Sequence, residues 1–168
     1  MIENKLYIGI DNGVSGTIGV LLNNKSWFFK TPIKKEQNYT KAKANISRID
    51  FGILRQTLHD ILTCNDFGSI KCLIERPMVN PGRFKATTSA LRSLEATLII
   101  LETLDIPIEY IDSKKWQKEL LPSGSSKENL KKDSSDIGIR LFPEFKEKIL
   151  NHKDADGILI AEYARRNF

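Results

Sequence analysis

The first 31 residues contain three short apolar runs that are separated only by turn-forming residues. The runs cover Lys5–Ile10, Gly16–Leu22 and Ser26–Thr31, and the separators are "DNGVS" and "NNK". Asn, Asp, Gly and Ser favour tight turns, and connections this short can join only antiparallel neighbours. The start of the chain therefore predicts a three-stranded antiparallel meander.

The rest of the chain alternates helical and strand-like patterns. Apolar residues at helical spacing predict helices, and short apolar runs that end at turn signals or at proline predict strands. The predicted helices are Ile49–Leu62, Thr88–Leu104, a segment that ends at Leu141 before Pro143, and Ala155–Arg166; the predicted strands are Ser69–Ile74 and "IPIEYI". Strands separated by helices pair in parallel. The sequence thus predicts an α/β fold whose mixed central sheet carries helices on both faces.

Length and composition favour one globular domain over residues 1–168. Hydrophobic residues make up 40% of the chain and charged residues 28%, and no apolar run approaches the ~18 residues of a membrane-spanning helix. These values exclude a disordered or membrane-spanning chain. The N-terminal sequence "MIENKLYIGI" lacks the features of a secretory signal, so we expect a cytoplasmic protein.

The cysteines and the net charge give weaker indications. Cys64 and Cys72 lack the paired spacing of a zinc site, so both are predicted to be buried, reduced thiols. The net charge is +5, with lysines concentrated in Lys25–Lys43 and Lys114–Lys132. Clustered lysines suit an anionic partner such as nucleic acid, although an ordinary solvated surface gives similar counts.

Four acidic residues lie where the predicted elements begin or end. Asp11 ends the first strand, Glu75 ends the fourth, and Asp154 and Asp156 lie at the start of the last helix. Side chains at such positions converge at one edge of an α/β sheet. Carboxylates held close together repel one another unless a divalent cation neutralises them, and an all-oxygen set favours magnesium or manganese over zinc. Two such ions can support phosphodiester hydrolysis.

Each acid also has a purely structural interpretation. Asp11 lies in an Asp-Asn-Gly turn, and Asp154 is suited to capping a helix. Glu75 is harder to explain in this way, because glutamate is a poor turn-former and the residues before it are predicted to be buried. The structural and catalytic interpretations of the single residues both stay open at this point.

Four segments resemble the motifs of RuvC-like Holliday junction resolvases, in particular the compact phage-type branch, which has an RNase H-like fold. They are "YIGIDNGVSGTIGVL", "IERP", "WQKELLP" and "HKDADGILIAEYARR", and they occur in the family's order. The resemblance implies an endonuclease that depends on magnesium, or alternatively manganese, with two ions per active site. It also implies a homodimer that nicks a four-way DNA junction symmetrically and leaves 5′-phosphates. By motif, Asp11, Glu75 and Asp156 match the family's acids.

The fourth ligand departs from the family pattern. Members of the family commonly carry an acid or a histidine one helical turn before the last aspartate, where this chain has Lys153. Its neighbours His152 and Asp154 are both candidates, because the start of the helix decides which one shares a face with Asp156. We predict Asp154 as the extra ligand, with His152 as a candidate metal or proton-transfer partner.

Two basic segments are predicted to contact DNA. The loop "RPMVNPGRFK" is irregular by its composition, and the resemblance implies that it enters the junction. Arg76, Arg83 and Lys85 would then bind phosphates, and Phe84 or Met78 would stack on or wedge between bases; a packed surface loop is the alternative for Phe84. In the second segment the family likeness suggests phosphate contacts for Lys114, Lys115 and Lys118. Trp116 is predicted to be a core residue, because it lies at helical spacing from apolar residues. The helix Thr88–Leu104 is more apolar than one buried face requires, which fits either a dimer interface or a deeply buried helix.

Other functions share parts of this pattern. "IDNGVSGT" also resembles the first phosphate loop of sugar-kinase and actin-like ATPases, but those proteins need two such domains. A nuclease for RNA–DNA hybrids, or for branched or forked DNA, would use similar acids. A catalytically silent nucleic-acid-binding member of the fold is a further alternative, and it should lack one of the acids.

Overall fold

The computed structural model describes residues 4–124, 126 and 128–168 and shows a five-stranded mixed sheet between two layers of helices. The strands are β1 Lys5–Ile10, β2 Thr17–Leu22, β3 Lys25–Lys30, β4 Ile33–Gln37, β5 Asn45–Ile49, β6 Ser69–Glu75 and β7 Ile108–Ile111. The helices are α1 Phe51–Thr63, α2 Phe84–Thr103, α3 Ser113–Leu120, α4 Leu130–Leu141, α5 Lys146–His152 and α6 Asp156–Asn167. Short 3₁₀ turns cover Pro81–Arg83 and Pro143–Phe145.

The strand order of the main sheet is β3-β2-β1-β6-β7. Strand β2 pairs antiparallel with both β1 and β3, whereas β6 pairs in parallel with both β1 and β7. Strands β4 and β5 form a separate antiparallel hairpin. The predicted meander and the predicted mixed sheet are both confirmed.

The two faces of the sheet support two apolar cores, because successive strand residues point to opposite sides. Ile8 and Ile10 of β1 pack into the core that contains Leu54 of α1 and Ile100 of α2. The opposite core joins the sheet to α3, α4, α5 and α6, and Trp116 lies at its centre with no exposed surface. Helices therefore cover both faces, as predicted.

Helix α6 lies unusually close to β1 and β2 because glycines form the contact. A Cβ atom on Gly9 would lie 2.2 Å from the backbone nitrogen of Ala161, and one on Gly19 would lie 2.3 Å from the Cα of Ile158. On the helix side, Gly157 makes an equally close approach to the backbone of β2. Any larger residue would push the helix away from the sheet. This packing fixes the first turn of α6 against the end of the strands.

Several predicted boundaries were wrong. The hairpin β4–β5 was not predicted, and Ile49 ends β5 rather than beginning a helix; the helix begins after Asp50, whose Oδ1 accepts a hydrogen bond of 3.1 Å from the Ile53 N–H. Helices α3 and α5 were also missed as separate elements. Of the two thiols predicted to be buried, Cys72 is buried, and burial raises its pKa to about 12, but Cys64 is exposed because it follows the end of α1. Among the described residues, no helix is both long and apolar enough to span a bilayer.

Candidate metal centre

The parallel pairing of β1 with β6 brings Asp11 and Glu75 to the same place. Ile10 lies opposite Ile74 in this pair, so the next residue of each strand leaves the sheet at the same edge. Ile10 and Ile74 point into the core on the side of α1 and α2. Because successive strand residues point to opposite sides, the acids that follow them point to the side covered by α3 and α6. Rigid strand ends thus position two of the predicted acids.

The first residue of α6, Asp156, and Asp154 just before the helix add the other two acids from the end of the chain. Carboxylate oxygens of Asp11, Asp154 and Asp156 all lie within 4.8 Å of one another. Glu75 lies outside this close group, but its charge is near enough to raise the pKa of Asp11. We call these four residues the carboxylate centre. The structure therefore brings together acids that lie more than 140 residues apart in the sequence.

Asp154 has both a structural contact and a place in the centre. It is only 4% exposed, and its Oδ1 accepts hydrogen bonds from the Thr17 hydroxyl at 2.9 Å and from the Asp156 N–H at 2.8 Å. The Thr17 hydroxyl oxygen in turn accepts a hydrogen bond of 3.0 Å from the Gly157 N–H. Asp154 therefore orders the start of α6 through one oxygen, and its second oxygen accepts a hydrogen bond of 2.6 Å from Lys131 Nζ.

Lys131 of α4 forms ion pairs with two of these carboxylates. Its Nζ lies 2.6 Å from Asp154 Oδ2 and 3.4 Å from Asp156 Oδ2. Ser134, one helical turn further along, donates a hydrogen bond to Asp156 Oδ1. Sequence reasoning placed Lys131 only in a basic segment. Its i, i+3 spacing from Ser134 was the available signal, but that spacing is common on helices.

The pKa values of the centre reflect burial and mutual repulsion. Burial, followed by the charges of Asp154 and Asp156, raises the pKa of Asp11 well above its usual value. Burial and then the charge of Asp154 raise the pKa of Asp156. Burial raises the pKa of Glu75 to about 7, although a hydrogen bond from Trp116 favours its charged form. Partial burial opposes a charged Lys131, but the carboxylates outweigh this effect and raise its pKa. The centre therefore favours the binding of additional positive charge.

Trp116 holds Glu75 in place. Its indole Nε1–H donates a hydrogen bond of 2.7 Å to Glu75 Oε2, and its ring is completely buried. The core location was predicted, but the contact with the acid was not. A buried tryptophan N–H usually needs a hydrogen-bond acceptor, and this requirement could have indicated that Trp116 contacts a polar side chain.

His152 lies outside the group of close carboxylates. It is the last residue of α5, its ring centroid lies 6.0 Å from that of Phe28, and the left-handed residue Lys153 separates it from Asp154. Burial and the charge of Lys30 lower the pKa of His152. Of the two candidates for the fourth position, the structure thus brings Asp154 into the centre and leaves His152 beside β3.

An open groove of about 280 Å³ runs alongside Asp11 and Glu75. Its other lining residues include Arg76, Met78 and Arg83. Arg76 Nε forms an ion pair of 3.0 Å with Asp112 Oδ1, and Met78 is 78% exposed. The groove lies directly beside two of the acids.

The predicted loop before α2 is partly helical. Asn80 Oδ1 accepts a hydrogen bond of 2.9 Å from the Gly82 N–H, and a 3₁₀ turn then leads directly into α2. Phe84 and Lys85 therefore lie in the first turn of α2 rather than in an irregular loop, and Phe84 is 76% exposed. Lys114, Lys115 and Lys118 are exposed on α3, whose buried side carries Trp116. All the residues predicted to contact DNA that lie on α2 and α3 thus face solvent.

Comparisons with known proteins give a likeness in structure only. No protein-family model matches the chain, and no curated protein matches it in sequence. The structure of Thermus thermophilus RuvC in complex with a Holliday junction substrate matches over 96% of each chain, with 16% identity and a TM-score of 0.58. A second Thermus thermophilus RuvC structure matches with the same coverage and identity and a TM-score of 0.49. The chain therefore has an RNase H-like fold of the kind seen in RuvC.

Proposed function

We propose that this protein is a divalent-metal-dependent endonuclease that resolves four-way DNA junctions by symmetric paired nicks and leaves 5′-phosphates. The observation that carries the proposal is the carboxylate centre: three carboxylates within 4.8 Å of one another, with Glu75 beside them, at the end of an RNase H-like sheet. The motif resemblance supports the junction substrate and the polarity of the cut. The matched RuvC structure contains a Holliday junction substrate, which agrees with this choice.

The residues of the centre fit a magnesium site. They offer only carboxylate oxygens, which hard divalent cations prefer, and burial and repulsion raise the pKa of Asp11 and Asp156. Asp11, Glu75, Asp154 and Asp156 would hold the ions, with manganese as an alternative to magnesium. When bound, such ions supply a water of lowered pKa and neutralise charge on the cleaved phosphate.

The surrounding residues orient these ligands and the substrate. The Trp116 N–H fixes one oxygen of Glu75, and the Thr17 hydroxyl fixes one oxygen of Asp154. Arg76 and Arg83 in the groove would bind backbone phosphates next to the bond that is cut, together with Lys85, Lys114, Lys115 and Lys118. Exposed Phe84 and Met78 would stack on bases at the open centre of a junction.

Two symmetric nicks require two active sites, and α2 offers a surface for a homodimer. The helix buries Ser93, Thr97 and Ile100 in the core, but Leu91 and Ile99 on its other side are 43% and 45% exposed. Leucine and isoleucine eight residues apart lie on one helix face, which suits an interface between two copies. Gel filtration at micromolar concentration tests this interface: a monomer, with or without DNA, would contradict the paired-nick mechanism.

The decisive experiment compares substrates and a carboxylate variant. Purified protein is incubated with a labelled four-way junction, Y-fork, flap, linear duplex and RNA–DNA hybrid, with and without magnesium. We expect paired nicks at symmetric positions of the junction only with magnesium, and none from Glu75→Gln. Glu109→Gln is the matched control, because Glu109 is an exposed acid on β7 that pairs with Lys71, away from the centre.

Each alternative function gives a different result. Cleavage of the hybrid alone would indicate an RNase H-type nuclease, and cleavage of forks or flaps alone would change the branched substrate. Tight binding without any cleavage would indicate a catalytically silent DNA-binding protein. Equal cleavage by Glu75→Gln and the parental protein would refute the assigned role of the carboxylate centre.

A further inference from the structure

The hairpin β4–β5 is an appendage outside the main sheet. It spans residues 33–49 between β3 and α1, and of its strand residues only Ile49 is buried. Ile49 packs into the core formed with α1 and α2, and this contact anchors one end of the hairpin. An isolated two-stranded hairpin is only marginally stable, so the anchor is what holds it in place. Strand β5 also contacts α2, whereas residues 39–45 at the tip are all exposed.

This segment carries most of the charge excess of the protein. Residues 33–49 contain five lysines and arginines and one glutamate, a net charge of +4. The complete chain has a net charge of +5, so all its other residues together contribute only +1. The positive charge of the molecule is therefore concentrated on one projecting element rather than spread over the surface.

Most of these cations are free to bind a ligand. The one glutamate, Glu36, accepts ion pairs from Lys34 at 2.7 Å and from Arg48 at 2.6 Å. Within the described residues, exposed Lys41 and Lys43 at the tip form no ion pair with an acid. Such lysines have no ion pair to break when they meet a phosphate.

The tip has an ordered shape and presents an aromatic ring. Backbone hydrogen bonds join Asn38 N–H to the Ala44 carbonyl at 2.8 Å and Lys43 N–H to the Thr40 carbonyl at 2.9 Å. Tyr39 lies between these residues and is 98% exposed. A fully exposed ring flanked by lysines is an arrangement that binds nucleic acid by stacking together with phosphate contacts.

The hairpin leaves the main sheet at the edge that carries the carboxylate centre. Lys30, the last residue of β3, pairs with Thr17, and the Thr31 N–H donates a hydrogen bond of 3.0 Å to the Gly16 carbonyl. The Thr17 hydroxyl is bonded to Asp154 of the centre. The base of the hairpin and the acids therefore lie at the same end of the main sheet.

We propose that the hairpin is a second DNA-contacting arm, which binds backbone phosphates of the duplex beside the cleaved bond through Lys41 and Lys43. Tyr39 contacts a base or sugar of the same duplex. The inference rests on the proposed function, because it takes the substrate of the carboxylate centre as its partner. A phosphate polymer fits an ordered row of unpaired lysines, whereas insertion into a membrane would need more apolar residues than the tip provides.

The test measures DNA binding without cleavage. Anisotropy of a labelled four-way junction and of a linear duplex is measured in EDTA, over a range of salt, for the parental protein and for Lys41→Gln with Lys43→Gln. The matched control is Arg140→Gln with Lys146→Gln, two exposed cations in the last turn of α4 and the first turn of α5. Circular dichroism checks that both variants melt at the parental temperature.

We expect the hairpin variant to bind both DNAs at least about tenfold more weakly at moderate salt and to lower the salt slope of log K by about 2, one for each phosphate contact removed. The control variant should keep the parental slope. Equal slopes for the hairpin variant and the parental protein would overturn the proposal. So would an equal loss in the control variant. Binding to vesicles that contain anionic phosphatidylserine is measured in parallel, and a hairpin variant that loses vesicle binding but keeps parental DNA affinity would also overturn it.

The two proposals fail in different assays. If magnesium never produces nicks but the hairpin variant still loses affinity and salt slope, the nuclease function fails and the DNA contact stands. If the junction is cut and the hairpin variant binds with parental affinity, the DNA-contacting arm fails and the nuclease function stands.

Discussion

Without metal, the protein should lose stability as the pH rises, and Glu75 should account for a measurable part of the loss. Burial raises the pKa of Glu75 from 4.5 to about 7, so the folded state holds this proton more tightly than the unfolded state. The stabilisation is complete below pH 4.5 and is lost as the pH rises through about 7. At 1.36 kcal/mol per pKa unit the loss approaches ~3 kcal/mol, and partial exposure of Glu75 reduces it to ~2 kcal/mol.

The assay compares urea unfolding of the parental protein and of Glu75→Gln in EDTA at pH 5 and pH 8. Glutamine keeps the acceptor for the Trp116 N–H, so the difference between the two proteins isolates the charge. We expect the parental protein to lose ~2 kcal/mol more than the variant between these pH values, about 4–8 °C in Tm. Magnesium should restore the parental stability at pH 8 more than that of the variant. Parallel pH profiles in EDTA would refute the inference that the buried charge of Glu75 is unfavourable.

Three further substitutions test the packing and electrostatics of the centre. Trp116→Phe removes a donor to the charged form of Glu75, so the pH midpoint of magnesium-dependent cleavage should rise by about 1 unit. Gly157→Ala places a Cβ 2.3 Å from the Thr17 carbonyl oxygen and should lower the free energy of unfolding by ~2 kcal/mol in urea, whereas Gly52→Ala, whose Cβ meets only ordinary contacts, should not. Lys131→Met removes the cation that pairs with Asp154, so calorimetry should show tighter magnesium binding together with lower stability in EDTA.

The sequence predicted those elements whose pattern is local. Turn-forming residues identified the meander, and strand-ending acids identified Asp11 and Glu75, because both features follow from the residues themselves. The hairpin β4–β5 was not predicted, because Ile33–Gln37 is exposed along nearly its whole length and so has no alternating apolar pattern. Helix α2 was predicted to begin at Thr88, but it begins at Phe84. Pro81 and Gly82 are typical of a loop, yet here they form a 3₁₀ turn that leads directly into the helix.

Other features depend on contacts between distant residues. Trp116 meets Glu75 across 41 residues, and Lys131 meets Asp154 across 23. Nothing in the local sequence of either pair indicates the partner, because these contacts arise only when α3 and α4 pack beside the strand ends. The choice between His152 and Asp154 likewise depended on where α5 ends and α6 begins, which the left-handed Lys153 determines.

The packing of α6 links the stability of the fold to the chemistry of the centre. Glycines allow the helix backbone to approach β1 and β2, and this contact brings Asp154 and Asp156 toward Asp11. The same approach forces buried carboxylates together, which raises the pKa of Asp11 and costs stability at neutral pH. Lys131 offsets part of this cost in the metal-free protein. Glu75→Gln should therefore be more stable than the parental protein in EDTA at pH 8 and yet inactive, as expected where stability is sacrificed for a functional site.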